Sequence, residues 1–279
     1  VTMSGGNDGL NTFIPLADGS YHDRRPRLAI GSDQAITLTN NRGLHPRLGH
    51  FKSQWDQGNL AIIDGVGLTG SNLSHFDSTA RMMTLSASSS TAGTGWLGRY
   101  LDGLGADPFN GVSLGSSLPP LVKGRSRQAI AIPEYRNNIF DISEPNSTYG
   151  RQFRALRAMG TTPTGFGPLA DRLTAAGRRA VDLAGTVGPL VGERNEEAAV
   201  VNKFRLAARL INANLGIRVI SIQFGDFDSH ANQASMHNDR MTELNAAVQA
   251  FHKTLNPSFA SRALIVGTSE FGRRVPDNG

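Results

Sequence analysis

Short apolar runs recur along the chain, and most are bounded by turn-forming residues. Such runs are typical of strands that are buried on both faces of a parallel sheet. They predict strands at residues 1–4, 60–63, 111–114, 129–132, 218–224 and 263–267. Between them, apolar residues repeat at helical spacing, as in Val200, Phe204, Ala207 and Ile211. Strands that alternate with helices predict an α/β fold with a largely parallel sheet.

Other segments refine this outline. One helix is predicted from Leu44, with Pro46 in its first turn and a stop at Gly58. Residues 244–255 repeat the helical pattern, and small polar residues predict loops at 86–95 and 161–167. Residues 149–215 are mostly helical in pattern and predict a helical insertion or cap. We expect one domain over residues 1–279 that is incomplete at both ends, because Val1 begins within a strand pattern and the chain ends in a loop at Asn278-Gly279.

Composition narrows the class of protein. Hydrophobic residues make up 39% and charged residues 18% of the 279 positions, which argues against a disordered chain. The net charge of +5 comes from scattered basic residues without an aromatic stripe, so we expect no nucleic-acid partner. An anionic small substrate or an anionic surface fits the sign of this charge.

Two absences in the sequence exclude further classes. The chain has no cysteine, which excludes disulfides, thiolate zinc sites and cysteine nucleophiles. No apolar run approaches the roughly 18 residues of a membrane span, so we expect no transmembrane segment.

Two polar clusters in the first third of the chain could carry chemistry. Asp8 follows the glycine pair Gly5 and Gly6 at a predicted strand end, and it could offer a carboxylate to a metal. The alternative is a simple turn. Ser74 precedes a predicted helix, where its hydroxyl could be a nucleophile if a metal or a base activates it. The alternative for Ser74 is a plain helix N-cap.

Two further clusters follow the last predicted strands. Asp226, Asp228 and His230 combine oxygen ligands with an imidazole, as suits zinc, manganese or a similar divalent ion. The alternative is a polar loop that caps the next helix. Glu270 could be a metal ligand and Arg273 could clamp an anion, or both could belong to a solvated loop with a salt bridge.

Several motifs together suggest a family. They are Gly-Gly-Asn-Asp-Gly-Leu-Asn from Gly5, Arg25-Pro26, Leu44-His45-Pro46, Ser74-His75-Phe76, Phe227-Asp228-Ser229-His230 and Ser269-Glu270-Phe271-Gly272-Arg273. The chain resembles a bacterial family of unknown function that is often exported by the twin-arginine route and is related to alkaline phosphatases and sulfatases. The resemblance implies an alkaline-phosphatase-like sheet with helices on both faces, and a periplasmic or secreted location.

The same resemblance implies roles for individual residues. Asp8 takes the position of the first metal carboxylate and Ser74 that of the nucleophile. Asp228 and His230 correspond to a later ligand pair, with Asp226 as a competing ligand. The segment from Ser269 departs from the Ser-Asp-His-Gly of many relatives, since Glu270 replaces Asp and Phe271 cannot bind a metal. The chain also stops at Gly279, before the family's Thr-Asp-His-Gly motif.

These observations define the expected function. We expect a metal-dependent hydrolase of a phosphate or sulfate ester, with Ser74 as nucleophile and Arg273 stabilising developing charge. The metal would be zinc, manganese, calcium or magnesium, bound weakly or not at all by this chain. The partner would be an anionic small-molecule or polymer ester. One alternative is a non-catalytic binding or assembly protein, and another is a metal-free serine hydrolase, although Ser74 lacks a Gly-x-Ser-x-Gly setting.

Overall fold

The chain folds into an α/β structure with a parallel central sheet. The computed structural model describes residues 1–70, 74–86, 93–104, 107–127, 129–135, 146–161 and 165–277. The β-strands in these residues are β1 (Thr2–Met3), β2 (Phe13–Ile14), β3 (Ile36–Thr39), β4 (Arg42–Leu44), β5 (Gly111–Leu114), β6 (Ile130–Ile132), β7 (Val219–Phe224) and β8 (Thr268–Ser269). The α-helices are α1 (Gly9–Thr12), α2 (Gly19–Arg24), α3 (Gly49–Asp56), α4 (His75–Thr84), α5 (Trp96–Asp102), α6 (Thr148–Thr161), α7 (Pro168–Val187), α8 (Ala199–Asn212) and α9 (Gln233–Thr254).

Five strands form the central sheet, in the order β6-β5-β7-β1-β8. Every pairing in it is parallel. The predicted α/β class with a parallel sheet is therefore confirmed, and the architecture is consistent with an alkaline-phosphatase-like fold. Because β1 pairs with both β7 and β8, the segments that follow these three strands emerge at one edge of the sheet.

The core lies beside β7. Helices α8 and α9 pack on each other, and α8 also packs against β7. The rings of Phe204 and Phe251 meet edge to face with their centroids 6.4 Å apart. Leu210 and Met241 are fully buried in the same layer. Burying large apolar side chains at these positions stabilises the fold by roughly 1.5–3 kcal/mol for each side chain.

Two strand predictions are wrong. Residues 60–63 are not a strand, and the side chain of Ile63 is 80% exposed. An apolar run forms a strand where a neighbouring edge accepts its hydrogen bonds, and no described strand pairs with this run. Residues 263–267 are also outside the assigned strands, and β8 begins directly after them at Thr268.

The sequence patterns also missed a second sheet. Strands β2, β4 and β3 form an antiparallel sheet in that order. Leu44 belongs to β4, so the helix predicted from Leu44 starts later, as α3 at Gly49. The predicted loops at 86–95 and 161–167 fall partly outside the described residues.

The chain divides into two compact units. The first contains residues 1–132 and 198–279, and the second contains residues 133–197. Within the second unit, α6 and α7 pack closely where Gly160 faces Gly177, because a Cβ on Gly160 would lie 2.8 Å from the backbone nitrogen of Arg178. Helix α8, which the sequence grouped with this helical region, belongs to the first unit.

Candidate functional site

Three segments meet at the carboxyl edge of the central sheet. They follow β1, β7 and β8, and the register Met3 with Phe224 and Ser269 brings their first residues side by side. The backbone of Ser4 links two of these segments, since its N–H donates to the Phe224 carbonyl and its own carbonyl accepts from the Phe227 N–H. Side chains from all three segments can therefore act on one ligand.

A glycine pair builds the floor of this edge. The N–H groups of Gly5 and Gly6 donate to Oε1 of Glu270, at 2.7 and 3.1 Å. Both glycines have positive φ, at 110° and 71°. A Cβ on Gly5 would lie 2.4 Å from the Asp228 nitrogen, and one on Gly6 would lie 2.7 Å from the Phe271 ring. Glycine is therefore required here for both conformation and space.

Glu270 is a buried carboxylate with a full set of donors. Besides the two glycine N–H groups, it accepts from the hydroxyl of Ser269 at 3.1 Å and lies 2.8 Å from Nδ1 of His75. Burial alone would raise the pKa of the Glu270 carboxyl. The bonds from His75, Gly5 and Gly6 outweigh burial and hold that pKa below its usual value. Glu270 is thus an ionised acceptor that orients the imidazole of His75.

His75 sits between two carboxylates at the start of α4. Its Nδ1 faces Glu270, and its Nε2 lies 3.5 Å from Oδ1 of Asp228. The ring of Phe271 covers the imidazole with centroids 4.6 Å apart. Ser74 immediately precedes it as the N-cap of α4 and accepts from the Asp77 N–H at 3.4 Å. The serine hydroxyl therefore lies at the positive end of a ten-residue helix, where an anion is favoured.

Asp228 forms the exposed rim of the site. Its Oδ2 lies 3.2 Å from Nε2 of His230, and its Oδ1 lies 3.6 Å from Nη2 of Arg273. The side chain of Asp228 is 42% exposed. Arg273 also donates to the carbonyls of Gly6 and Phe227, at 3.2 and 2.7 Å. Arg273 therefore ties the segment after β1 to the one after β7, and it brings positive charge to the rim.

The remaining candidate ligands lie apart from His75. Asp8 is buried, and its Oδ2 accepts from Nη1 of Arg25 and Nε2 of Gln233, each at 2.7 Å. Its Oδ1 accepts from the Asn11 N–H at the start of α1. Asp226 has a positive φ of 67°, is exposed, and lies 3.7 Å from Arg240 on α9. The protein's own donors therefore satisfy Asp8, and Asp226 points toward solvent.

A metal site at this edge would need several side chains that are free to bind the ion. Within the described residues, no group of three or more His, Asp or Glu side chains is arranged to hold a metal ion. A catalytic zinc takes three protein ligands and a water. Asp228 and His230 form a close pair, but Glu270 is saturated by other donors and Asp8 is paired with Arg25. The arrangement does not fit a metal centre, so we assign no step to one.

Sequence reasoning missed a buried polar network next to Asp8. His45 and His237 stack edge to face with centroids 5.2 Å apart, and Nε2 of His237 lies 3.3 Å from Oδ1 of Asn7. Burial lowers the pKa of both histidines to about 4. The motifs Arg25-Pro26 and Leu44-His45-Pro46 marked part of this network in the sequence. No pattern predicted that Arg25 would pair with Asp8.

A cavity adjoins this network. Its volume is about 430 Å³. His45, His237 and Gln233 line its inner wall, and the exposed Arg47 lies at its mouth. It therefore connects the buried histidines with solvent.

The fold and site define an α/β protein with a polar site at the carboxyl edge of a parallel sheet. The sequence matches the family described as "Protein of unknown function (DUF1501)" over residues 61–279. Because this match covers well over half of the chain, the protein belongs to that family. No curated protein and no solved structure gives a significant match. Among the described helices, none has both the length and the apolar character needed to cross a membrane.

Proposed function

We propose that the protein hydrolyses a phosphate or sulfate ester with Ser74 as the nucleophile. One observation carries the proposal: Ser74 and His75 begin α4 at the carboxyl edge of the sheet, and Glu270 lies 2.8 Å from Nδ1 of His75 while Nε2 lies farther, 3.5 Å, from Asp228. A hydroxyl at a helix N-terminus lies where the negative charge of a bound ester is stabilised. The sequence resembles a family that is related to alkaline phosphatases and sulfatases, and this resemblance supports the same class of substrate and export to the periplasm or beyond.

The chemistry divides between these side chains. The Ser74 oxygen attacks the phosphorus or sulfur, and its proton passes to Nε2 of His75, because the ionised Glu270 keeps the other ring proton on Nδ1. The alcohol then leaves with that proton returned to it. Water then cleaves the serine ester and restores the hydroxyl. Glu270 positions His75 through Nδ1, and Arg273 contributes positive charge beside Asp228. The roles assigned to Ser74 and Arg273 remain those proposed from the sequence.

A second candidate is a binding or assembly protein that retains the fold without turnover. It is favoured by the donor bonds that already satisfy the carboxylates of Asp8 and Glu270. Such a protein would hold an anionic ester at the same edge and release it unchanged.

An ester panel separates the two candidates. Aryl phosphates and aryl sulfates are offered to the wild-type chain, alone and with added zinc, manganese, calcium or magnesium. Turnover that is lost in Ser74→Ala supports the hydrolase. Ser147→Ala is the matched control, because Ser147 likewise accepts a backbone N–H at the start of a helix, α6, in the other compact unit. Saturable binding without turnover supports the second candidate, and turnover retained in Ser74→Ala removes Ser74 from the nucleophile role.

A further inference from the structure

Helix α7 carries an apolar stripe that is exposed in the first half of the helix. Leu169 is 83% exposed and Leu173 is 60% exposed, and Phe166, just before the helix, is 87% exposed. At about 100° per residue, Ala176 and Ala180 continue the line of the two leucines along the helix. We call Leu169, Leu173, Ala176 and Ala180 the exposed stripe. Isolated exposed leucines are common on proteins, but a continuous line at helical spacing indicates a contact surface.

The stripe is separate from the surface that packs α7 within its own unit. Gly177 and Ala184 are buried on the side of α7 that approaches α6. Arg178 contributes to this packing by donating to the Gly160 carbonyl at 3.2 Å. At about 100° per residue, Gly177 lies roughly 70° around the helix from the centre of the stripe. The contact between α6 and α7 therefore leaves Leu169 and Leu173 exposed.

Charges are distributed asymmetrically around the stripe. Arg172 and Arg179 flank one side of it, about 70–90° from its centre. Asp171 and Asp182 lie about 150–170° away, on the opposite side of the helix. Neither Arg172 nor Arg179 has an ion-pair partner among the described residues. The exposed stripe is therefore bordered by arginines, and the two aspartates lie on the opposite side of the helix. This arrangement suits an anionic lipid surface.

We propose that α7 docks on the surface of an anionic lipid bilayer, with the exposed stripe and Phe166 inserted at the headgroup boundary. Arg172 and Arg179 would then contact the lipid phosphates. The helix would lie along the membrane, as a helix does when its polar side carries charge and its apolar side carries Leu and Phe. This inference is independent of the ester site, because it rests on α7 alone.

Vesicle binding by the full chain tests the proposal. Co-sedimentation is measured with phosphatidylcholine vesicles and with vesicles containing about one third phosphatidylglycerol. We expect binding to the anionic vesicles that weakens as salt is raised. Replacing Arg172→Gln and Arg179→Gln together should weaken it roughly 25-fold, at about fivefold for each arginine. Leu169→Gln with Leu173→Gln should weaken it by at least about tenfold.

Matched controls and opposing outcomes make the test decisive. Two control variants lie in the other compact unit. Leu264→Gln changes a leucine that is 86% exposed, and Arg125→Gln changes an exposed arginine. Both variants should bind the vesicles as the wild type does. Far-UV circular dichroism checks that each variant keeps its helices. The proposal is overturned if the wild type does not bind anionic vesicles at low salt, or if the α7 variants bind them as strongly as the wild type does. Self-association that the leucine changes abolish, without vesicle binding, would instead assign the stripe to a protein contact.

Discussion

Two groups of charged side chains lie at the same edge of the sheet, and they differ in burial. Asp8 and Arg25 are almost completely buried and bonded to each other, whereas Asp228 is 42% exposed beside His75 and His230. Both aspartates follow a strand of the central sheet, and both were predicted as metal ligands from their positions in the sequence. The comparison shows that burial and pairing decide whether a strand-end carboxylate holds the fold together or remains open to a ligand.

Removing Arg25 should disrupt the buried ion pair of Asp8 and Arg25 and produce the largest effect on stability. Arg25→Met leaves the Asp8 carboxylate buried without its cation, which costs about 3–5 kcal/mol. Urea unfolding measures the loss. Lys52→Met is the control, since the side chains of Lys52 and Asp56 are 33% and 56% exposed and their ion pair is worth at most about 1 kcal/mol. Equal losses in the two variants would contradict the contrast between buried and exposed pairs.

The buried histidines should make stability depend on pH. Burial lowers the pKa of His45 and His237 to about 4, and both would titrate near 6.5 in the unfolded chain. The unfolded state therefore binds more protons between these values, so stability is full above about pH 6.5 and falls toward pH 4. The loss between pH 7 and pH 5 should be about 2 kcal/mol for one such histidine. It should be less than twice that for the pair, because part of the lowering of the His45 pKa comes from the charge of His237.

Unfolding by urea at pH 7 and pH 5 measures this dependence. His237→Gln removes one of the titrating groups, so its stability should fall less over the same interval. A wild type that is equally stable at both pH values would show that these histidines are not held neutral by burial.

Adding a methyl group to Gly5 tests the backbone that separates the two groups. Gly5→Ala should destabilise the protein by about 1–3 kcal/mol, because φ is positive and the new Cβ would meet the Asp228 nitrogen at 2.4 Å. Gly9→Ala is the control, since a Cβ there meets nothing within 4 Å. Thermal unfolding of both variants compares them directly, and an unaffected Gly5→Ala would refute the requirement for glycine.

Neutralising Asp228 should have the smallest effect on stability. Asp228→Asn is expected to change the free energy of unfolding by at most about 1 kcal/mol, because the group is exposed. If the proposed hydrolysis is correct, turnover should fall by at least about tenfold as His75 loses a neighbouring charge. Asp226→Asn should alter neither quantity, and a large loss of stability in Asp228→Asn would place it with the buried group.

Sequence reasoning succeeded where local pattern and fold agree. The apolar runs of β5 and β7 predicted buried parallel strands, and the parallel sheet then brought the segments after β1, β7 and β8 to one edge. The run at 60–63 has the same local pattern, but a strand also needs a neighbouring edge, which no local pattern encodes. The pairing of Asp8 with Arg25 depends on the path of the chain through α1 and α2, so residue types alone could not predict it.

The bond between Gly5 and Glu270 joins positions 265 residues apart in the chain. Such a contact closes a very long loop, and folding slows as contacts become more distant in sequence. The edge that holds His75 is therefore expected to assemble late, after helices and local turns have formed. Partly folded chains would contain these helices without an oriented His75 imidazole. Activity at this edge would therefore indicate that folding is complete.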